Sequence, residues 1–455
     1  MQNHPCPGMN KEPLHPPGIV LAAPASSSGK TTLTLALLRA LARHSSRVFA
    51  GKSGPDYIDT TYHEQATGNP SLTFDAWAMS DAQLNDQVLS LKAAGAHSFV
   101  IEGAMGLFDG GGTAGRGSTA ELASRLGLPV ILIVDAGRMA HSASLLPLGV
   151  RALMPTLDLA GVIANRVNSP RHREIVRSAI EGTGMPLLGS MPRNPDFSLP
   201  SRHLGLVLAM EHPDLEPLLE RLADQAEQSL DLDRIAAMMR QPTITSPAGP
   251  GTGINPPGRV IAIARDNAFA FLYRHITESW SRQGAVIRFF SPLGDEAPPA
   301  DADAVVLPGG YPELHAGPLA GAATFRAGMT AARDRGVAIY GECGGYMVLG
   351  QGLTTKEGQF PMLGLLPHAT CMTEPRLQLG YRHLRCRKPG FLQGCHAGHE
   401  FHYASETGRG GAPPLFMATD ADDTNPHSIG SMIGRVAGSF AHIICRRTAR
   451  ADAVQ

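Results

Sequence analysis

Two short segments of this 455-residue chain carry side chains whose types and spacing suit chemistry. The first is IVLAAPASSSGKTT, residues 19–32, an apolar run and a small-residue loop followed by the helical pattern LTLALLRALAR. That strand, loop and helix order is what a phosphate loop requires. Backbone N–H groups and a helix N-terminus surround the phosphates, Lys30 reaches the outer ones, and the Thr31 hydroxyl ligates Mg²⁺. Ser28, Gly29 and Thr32 complete the expected nucleotide-binding set. Pro24 stands where the usual pattern has its first glycine, so the loop is a variant.

Ligands of open α/β sheets bind beyond the carboxyl ends of the strands, so acidic residues at those ends extend the site. GKSGPDYID puts Asp56 and Asp59 past a second apolar run, and FVIEGAMGLFD puts Glu102 and Asp109 past a third. Carboxylates there hold Mg²⁺ on the terminal phosphates, with Glu102 joining Thr31, or orient a substrate. Taken singly, each also reads as a solvated loop or cap residue. Asp135 reads equally as a helix N-cap. Asn165, at the end of another strand, reads as a nucleobase contact or as a turn cap.

The second segment is VAIYGECGGYMVL, residues 337–349, an apolar strand running into Cys343 and then a helical pattern, with glycines at 341, 344 and 345. A nucleophile on a tight strand-to-helix turn needs small neighbours, and the helix N-terminus is expected to lower its thiol pKa. Upstream, VVLPGGYPE places Gly309 and Gly310 after a strand, where consecutive N–H groups build an oxyanion hole. A base must come from among 18 histidines; His442, in GSFAH, and His399 and His402, in GHEFHY, are the candidates. A metal site at His399, Glu400 and His402 is disfavoured on the expectation that strand alternation separates Glu400 from both histidines.

These residues need elements to position them. Apolar runs near 18–23, 47–52, 98–102, 129–135, 161–165 and 186–190 alternate with amphipathic stretches, as do runs near 260–264, 285–289, 304–307 and 337–340. Such alternation is the signature of parallel strands joined by helical crossovers, giving an α/β fold in two units. The aperiodic, Pro- and Gly-rich run at 241–258 reads as an exposed linker between units 18–240 and 259–447. Residues 1–17 and 448–455 read as tails, and residues beyond about 351 as shorter, mixed strands and loops.

Composition agrees. With 39 Lys+Arg against 40 Asp+Glu there is no basic stripe for nucleic acid and no general attraction to anionic membranes. The longest apolar stretch, residues 128–134, is too short to span a bilayer. The six sparse cysteines lack CxxC spacing, which suits a reduced, cytoplasmic protein.

Taken in order, APASSSGKTT, GKSGPDYIDTTYH, EGAMGLFDG, LPGGYPELHA, YGECGGYMVLG, LGYR, GHEFHY and GSFAH resemble the a,c-diamide synthases of cobalamin biosynthesis, over roughly residues 18–445. The resemblance implies an ATP-dependent amidoligase domain similar to dethiobiotin synthetase, a P-loop NTPase-like parallel sheet, followed by a class I glutamine amidotransferase domain. It implies ATP, glutamine and Mg²⁺ as requirements and a corrin polycarboxylate, cobyrinic or hydrogenobyrinic acid, as acceptor, and leaves a homodimer open. By motif, Lys30 and Thr31 serve the phosphates and Mg²⁺. Asp56, Asp59, Glu102 and Asp109 organise Mg²⁺, an acyl phosphate or the corrin carboxylate. Cys343 attacks glutamine and His442 is its base. Two departures stand out: many class I glutaminases carry His-x-Glu, whereas Ile443 and Ile444 follow His442, and Ile58 stands where Leu is expected. The alternatives are a synthase acting on other corrin carboxylates and a ParA/MinD-like ATPase switch, which leaves Cys343 without a purpose. A strongly anionic acceptor also demands a local group of Arg or Lys that the net charge of −1 conceals.

Overall fold

The computed structural model describes residues 14–202, 205–247, 253–408 and 410–447. Its first sheet has seven strands, β1 (Gly18–Ala22), β2 (Val48–Ser53), β3 (Ser71–Phe74), β4 (Ser98–Glu102), β5 (Val130–Asp135), β6 (Leu159–Val167) and β7 (Leu187–Pro192). All pair in parallel, in the order β3-β2-β4-β1-β5-β6-β7. Every residue of β1 is buried, because helices cover both faces of such a sheet and its central strands must be apolar throughout. Helices α1 (Lys30–His44) and α2 (Ile58–Thr67) leave the carboxyl ends of β1 and β2, so the phosphate loop and the Asp56–Asp59 segment open onto one edge. The sequence reading omits β3, a four-residue strand too short to show a period.

The second unit contains a six-stranded sheet in the order Val286–Phe290, Val260–Ala264, Ala304–Leu307, Ala338–Glu342, Val436–Ser439 and Ser431–Ile433. Its first five strands are parallel. The region beyond 351 is more regular than expected, since Gln378–Cys386 and Gly394–His402 pair antiparallel over nine residues each and His442–Arg447 lies beside the latter. Alternation along Gly394–His402 also corrects the metal-site reasoning, because positions 400 and 402 share a face and only His399 lies opposite Glu400.

The expected tails and linker are partly described. Residues 1–13, 248–252 and 448–455 lie outside the described residues. His15, read as tail, is instead buried, with Nε2 2.9 Å from the Asn85 side-chain oxygen. Ile244 and Ile254, read as exposed linker, are buried as well, since isolated apolar side chains in a polar run still find the nearest core. Among the described residues, no helix is long and apolar enough to cross a membrane.

The two units share a buried contact just past β3. Asp75 accepts from the backbone N–H groups of Trp77 (3.0 Å) and Ala78 (2.8 Å) and from the Tyr381 hydroxyl (3.0 Å) of the second unit. The Trp77 and Tyr381 rings stack with centroids 4.3 Å apart. Burial pushes the Asp75 carboxyl up to about 6, against its three donors. The folded state therefore holds this proton more tightly than the unfolded chain, and the stability it contributes is complete below about pH 4 and lost as pH rises through about 6. Asp75→Asn is expected to raise the thermal midpoint at pH 7.5, by the equivalent of about 3 kcal/mol at most, and by only about a third as much at pH 4.5. Equal shifts at the two pH values would exclude this cause.

Candidate functional site

The phosphate loop is held by its neighbours. Gly29 closes it at φ 83°, in the left-handed region, and an added Cβ there would strike the Asn165 side-chain nitrogen. That amide donates to the Ser28 carbonyl at 2.9 Å, while the Asn165 side-chain oxygen accepts from the Arg166 N–H at 2.9 Å. Asn165, read as a nucleobase contact or a turn cap, thus spends both ends of its amide on backbone. Ser28 Oγ donates to the Ala25 carbonyl at 2.9 Å and Thr32 Oγ1 to the Phe197 carbonyl at 3.4 Å. The Lys30 ammonium folds over the loop onto the carbonyls of Ala25 (3.4 Å) and Met105 (2.5 Å). Burial, with Lys52 nearby, lowers its pKa.

Behind the loop lies a charged cluster that the sequence reading saw only in part. Glu102, fully buried at the end of β4, accepts from Thr31 Oγ1 (2.6 Å) and Lys52 Nζ (2.9 Å), and its Oε2 is 2.7 Å from His63 Nε2. Lys52 also pairs with Asp59 at 2.5 Å. Burial alone would push the Glu102 carboxyl up, but Lys52, His63 and Thr31 together hold it well below the ordinary range. Asp59 has fewer partners, and burial together with Asp56 pushes it up to about 6. Desolvation would lower Lys52, yet its two carboxylates hold it above the ordinary range. Lys52 lies inside GKSG and His63 inside TTYHEQ; neither pattern announces a partner, because both pairings cross between elements distant in sequence.

The remaining carboxylates sit nearby. Asp56 Oδ1 caps α2, accepting from the N–H groups of Ile58 (2.8 Å) and Asp59 (2.9 Å), which satisfies donors the helix start leaves unpaired. Asp109 Oδ2 accepts from the Gly106 N–H at 2.8 Å. Asp135 accepts from the Gly137 N–H at 3.0 Å and pairs with Arg166 at 2.5 Å. All of them line one cleft of about 1600 Å³, which Leu379, Tyr381, His399 and Phe401 close from the second unit. That exceeds the roughly 300–1,000 Å³ of an ordinary small-molecule pocket. The expected cationic group is not a net excess. Lys30, Lys52, Arg138, Arg166 and Arg193 face as many carboxylates, Asp56, Asp59, Glu102, Asp109 and Asp135.

The donor set can be tested against Mg²⁺. The Glu102 and Asp59 carboxylates converge on one buried cation, the Lys52 ammonium, and the Thr31 hydroxyl donates to the same Glu102 oxygen as Lys52. They are all-oxygen ligands suited to a hard divalent ion, so they fit.

The second centre surrounds Cys343. It follows the strand Ala338–Glu342 with φ 47° and ψ −108°, a conformation non-glycine residues rarely hold, and leads into the helix Gly344–Leu349. Gly344 and Gly345 leave room for the turn, since a Cβ on Gly345 would run into the Leu307 carbonyl. A Cβ on Gly309 would lie 3.0 Å from His442 Nε2 and 3.2 Å from Cys343 Cβ, so His442 and Cys343 flank this glycine. Gly310 packs as closely on the Ala268 backbone. The expectation of a lowered thiol pKa is overturned. Burial, then the charge of Glu313, pushes the Cys343 thiol up, and the N–H of Gly344 offsets this only in part. His402 stacks on Phe440 and does not face this centre through a hydrogen bond; its Nδ1 is 3.0 Å from the Ala404 carbonyl.

Tyr57 joins the two centres. It lies between Asp56 and Ile58 on the cleft, yet its ring stacks on Phe271 (4.5 Å) and tilts against His442 (4.9 Å). The Tyr273 hydroxyl donates to the Pro55 carbonyl at 2.8 Å and fixes the same segment.

Comparison with known proteins agrees with this division. Residues 19–207 match the model of the CobQ/CobB/MinD/ParA nucleotide binding domain, and residues 260–449 that of the CobB/CobQ-like glutamine amidotransferase domain. The chain is 48% identical to the hydrogenobyrinate a,c-diamide synthase of Brucella anthropi over 94% of its own length and 98% of that protein. It is 47% identical to the synthase of the same name from Mesorhizobium japonicum, covering 95% of this chain and 99% of that one. With that of Rhizobium meliloti the identity is 45%, over 94% and 99%.

Lys52→Met should leave Asp59 and Glu102 sharing a buried site without their common cation, at a cost of about 3 kcal/mol or more in stability. Adding Asp59→Asn should recover part of it, as read by thermal unfolding; an equal loss with and without Asp59→Asn would show that Lys52 acts through packing instead.

Proposed function

The chain belongs to the family of hydrogenobyrinate a,c-diamide synthases, and on that premise we propose that it amidates the a- and c-acetate carboxylates of hydrogenobyrinic acid with ATP and glutamine. The observation that carries the reading is the meeting of two centres in one body, a phosphate loop and a Cys343–His442 pair, with Tyr57 packed between them. We take 18–240 as the amidoligase, 259–447 as the glutaminase and 241–258 as their junction, and we place the enzyme in the reducing cytoplasm. The described cysteines, 343, 371, 386, 395 and 445, are all free.

The chemistry follows from the reluctance of a carboxylate anion to accept a nucleophile. Transfer of the terminal phosphoryl group of ATP to one carboxylate oxygen makes an acyl phosphate, whose phosphate then departs when ammonia attacks the carbonyl carbon. In this scheme Ser28, Gly29, Lys30, Thr31 and Thr32 surround the phosphates. Asn165 serves the nucleotide indirectly, by fixing the Ser28 carbonyl. Asp56 and Asp109 orient the reacting carboxyl and phosphoryl groups from the same edge. Mg²⁺ would be held by Thr31, Glu102 and Asp59, and when bound it supplies charge neutralisation on the phosphates. For those oxygens to take it, the Lys52 ammonium must yield part of its place.

At the other centre, Cys343 attacks the glutamine amide carbon and expels ammonia. Because burial keeps its thiol protonated, the nucleophile forms by proton transfer to His442 Nε2, and the imidazolium then protonates the leaving nitrogen. Backbone N–H groups at Gly309 and Gly310 stabilise the oxyanion. Free ammonia is largely protonated in water at neutral pH, so a dry passage to the acyl phosphate keeps it nucleophilic. The aromatic residues Tyr57, Phe271 and Tyr273 provide such a wall.

Cys343→Ser should abolish glutamine-driven synthesis, by at least ~10³-fold, while ammonium salts still support it. Loss of both would count against two separable centres. Turnover assayed with hydrogenobyrinic acid, cobyrinic acid and the a,c-diamide distinguishes acceptors; turnover with the a,c-diamide alone would overturn the regiochemistry.

A further inference from the structure

The histidine of this glutaminase lacks an acidic residue two positions on, and Ile444, which stands there, is fully buried. An imidazole that takes a proton at Nε2 needs its Nδ1–H held by an acceptor, which fixes both tautomer and ring orientation. We propose that Glu342, the residue immediately before the nucleophile, is that positioning residue.

Three observations converge on it. Glu342 ends the strand Ala338–Glu342 and lies beside Ser439 of the neighbouring strand, three residues before His442. Its Oε1 accepts from the Ile443 N–H and from the Tyr340 hydroxyl, each at 3.1 Å, so two donors fix the carboxylate. Its Oε2 is thereby turned toward His442 Nδ1, 3.6 Å away. The histidine is fully buried, and among the described residues neither ring nitrogen has a hydrogen-bond partner closer than this. A buried N–H without an acceptor is costly, which gives the pair a reason to close. At 3.6 Å the contact is longer than a hydrogen bond, as is common for catalytic pairs before substrate tightens them.

The other groups around the ring do not compete for the role. Tyr57 and Tyr273 present ring faces or edges. Cys343 lies on the Gly309 side with Nε2. His399, paired with His442 across the strands, has its own pKa pushed down to about 3 by burial and then by His442. His402 bonds the Ala404 carbonyl. Glu342 is thus the one carboxylate within 4 Å of a ring nitrogen of His442 among the described residues. The consequence is an arrangement in which orienter and nucleophile are consecutive at the end of one strand, with the base at the start of the strand His442–Arg447, three residues after the neighbouring strand ends at Ser439.

The inference rests on the glutaminase reading of Cys343 and His442, which wild-type glutamine hydrolysis tests separately. In Glu342→Gln, kcat for glutamine hydrolysis is expected to fall roughly 10²-fold with KM changed less than about threefold. The limb of the pH–rate profile belonging to the imidazole should move about one unit toward lower pH, since a neutral amide no longer favours the imidazolium. Ammonium-driven synthesis, which bypasses Cys343, reports that the protein is folded. Glu342→Asp, shorter but still charged, should fall between wild type and Glu342→Gln, and is read in the same way if the amide variant does not fold. Wild-type kcat, an unshifted limb, or a parallel fall in ammonium-driven synthesis would overturn the assignment.

Discussion

One buried ammonium decides what the cleft can be. Lys52 ends its side chain between Asp59 and Glu102, with Thr31 and His63 completing the shell of Glu102. Two carboxylates out of water would each cost several kcal/mol unpaired. The lysine therefore adds a polar tie among β2, β4, α1 and α2, beyond the strand pairing of β2 with β4. It also sets an order among the acids: Glu102, with most partners, stays ionised, while Asp59 is pushed up toward about 6. A site poised this way holds oxygens close together at little net charge, ready for a cation with stronger claims on them.

The same tether reaches the other centre through five residues of chain. Asp56 caps α2 and Asp59 is fixed by Lys52, so Tyr57 between them has little freedom, and its ring is pressed on Phe271 and His442. Asp59 and His442 are thus linked through one packed ring, and interiors packed this closely transmit displacement. On the proposed reading, that coupling suits an enzyme that wastes glutamine if ammonia is released before an acyl phosphate exists. Burial has an opposite effect at Cys343: it excludes water from the amide to be cleaved but withholds the thiolate. On the proposed reading the imidazole supplies the thiolate by proton transfer, since the Gly344 N–H at the helix start offsets burial only in part.

What could be read in the sequence was what depends on local order. The parallel strands announce themselves as apolar runs, and a phosphate loop or nucleophile turn is a continuous string, so Lys30, Thr31 and Cys343 were legible without coordinates. His442 was legible only as one of three. Lys52 and His63 were not, since each earns its role from a partner 50 or 39 residues away. Glu342 lay in plain view beside Cys343, but the glycine at 341 ended the expected strand at 340, which hid the fact that position 342 is still extended and faces a neighbouring strand. Asn165 and Asp56 show the reverse: both lie on the cleft where the strand ends place them, and their side-chain hydrogen bonds go to the backbone.

Charge is the property on which the structure most changes the expectation. Five cations and five carboxylates line the cleft, and Lys52 and Arg166 are already paired with acids on its wall. A polyanionic acceptor therefore cannot be drawn in by a static positive field. What the cleft offers a large flat ring is instead its second-unit side, where Leu379, Tyr381 and Phe401 present apolar and aromatic surface and Leu379 is 55% exposed. Apolar contact with the macrocycle gains free energy in proportion to the area removed from water, while each peripheral carboxylate can remain solvated until it is the one presented to the phosphate loop. Selection by shape and apolar area, with charge compensated one carboxylate at a time, is consistent with a net charge of −1 and with two successive amidations at one site.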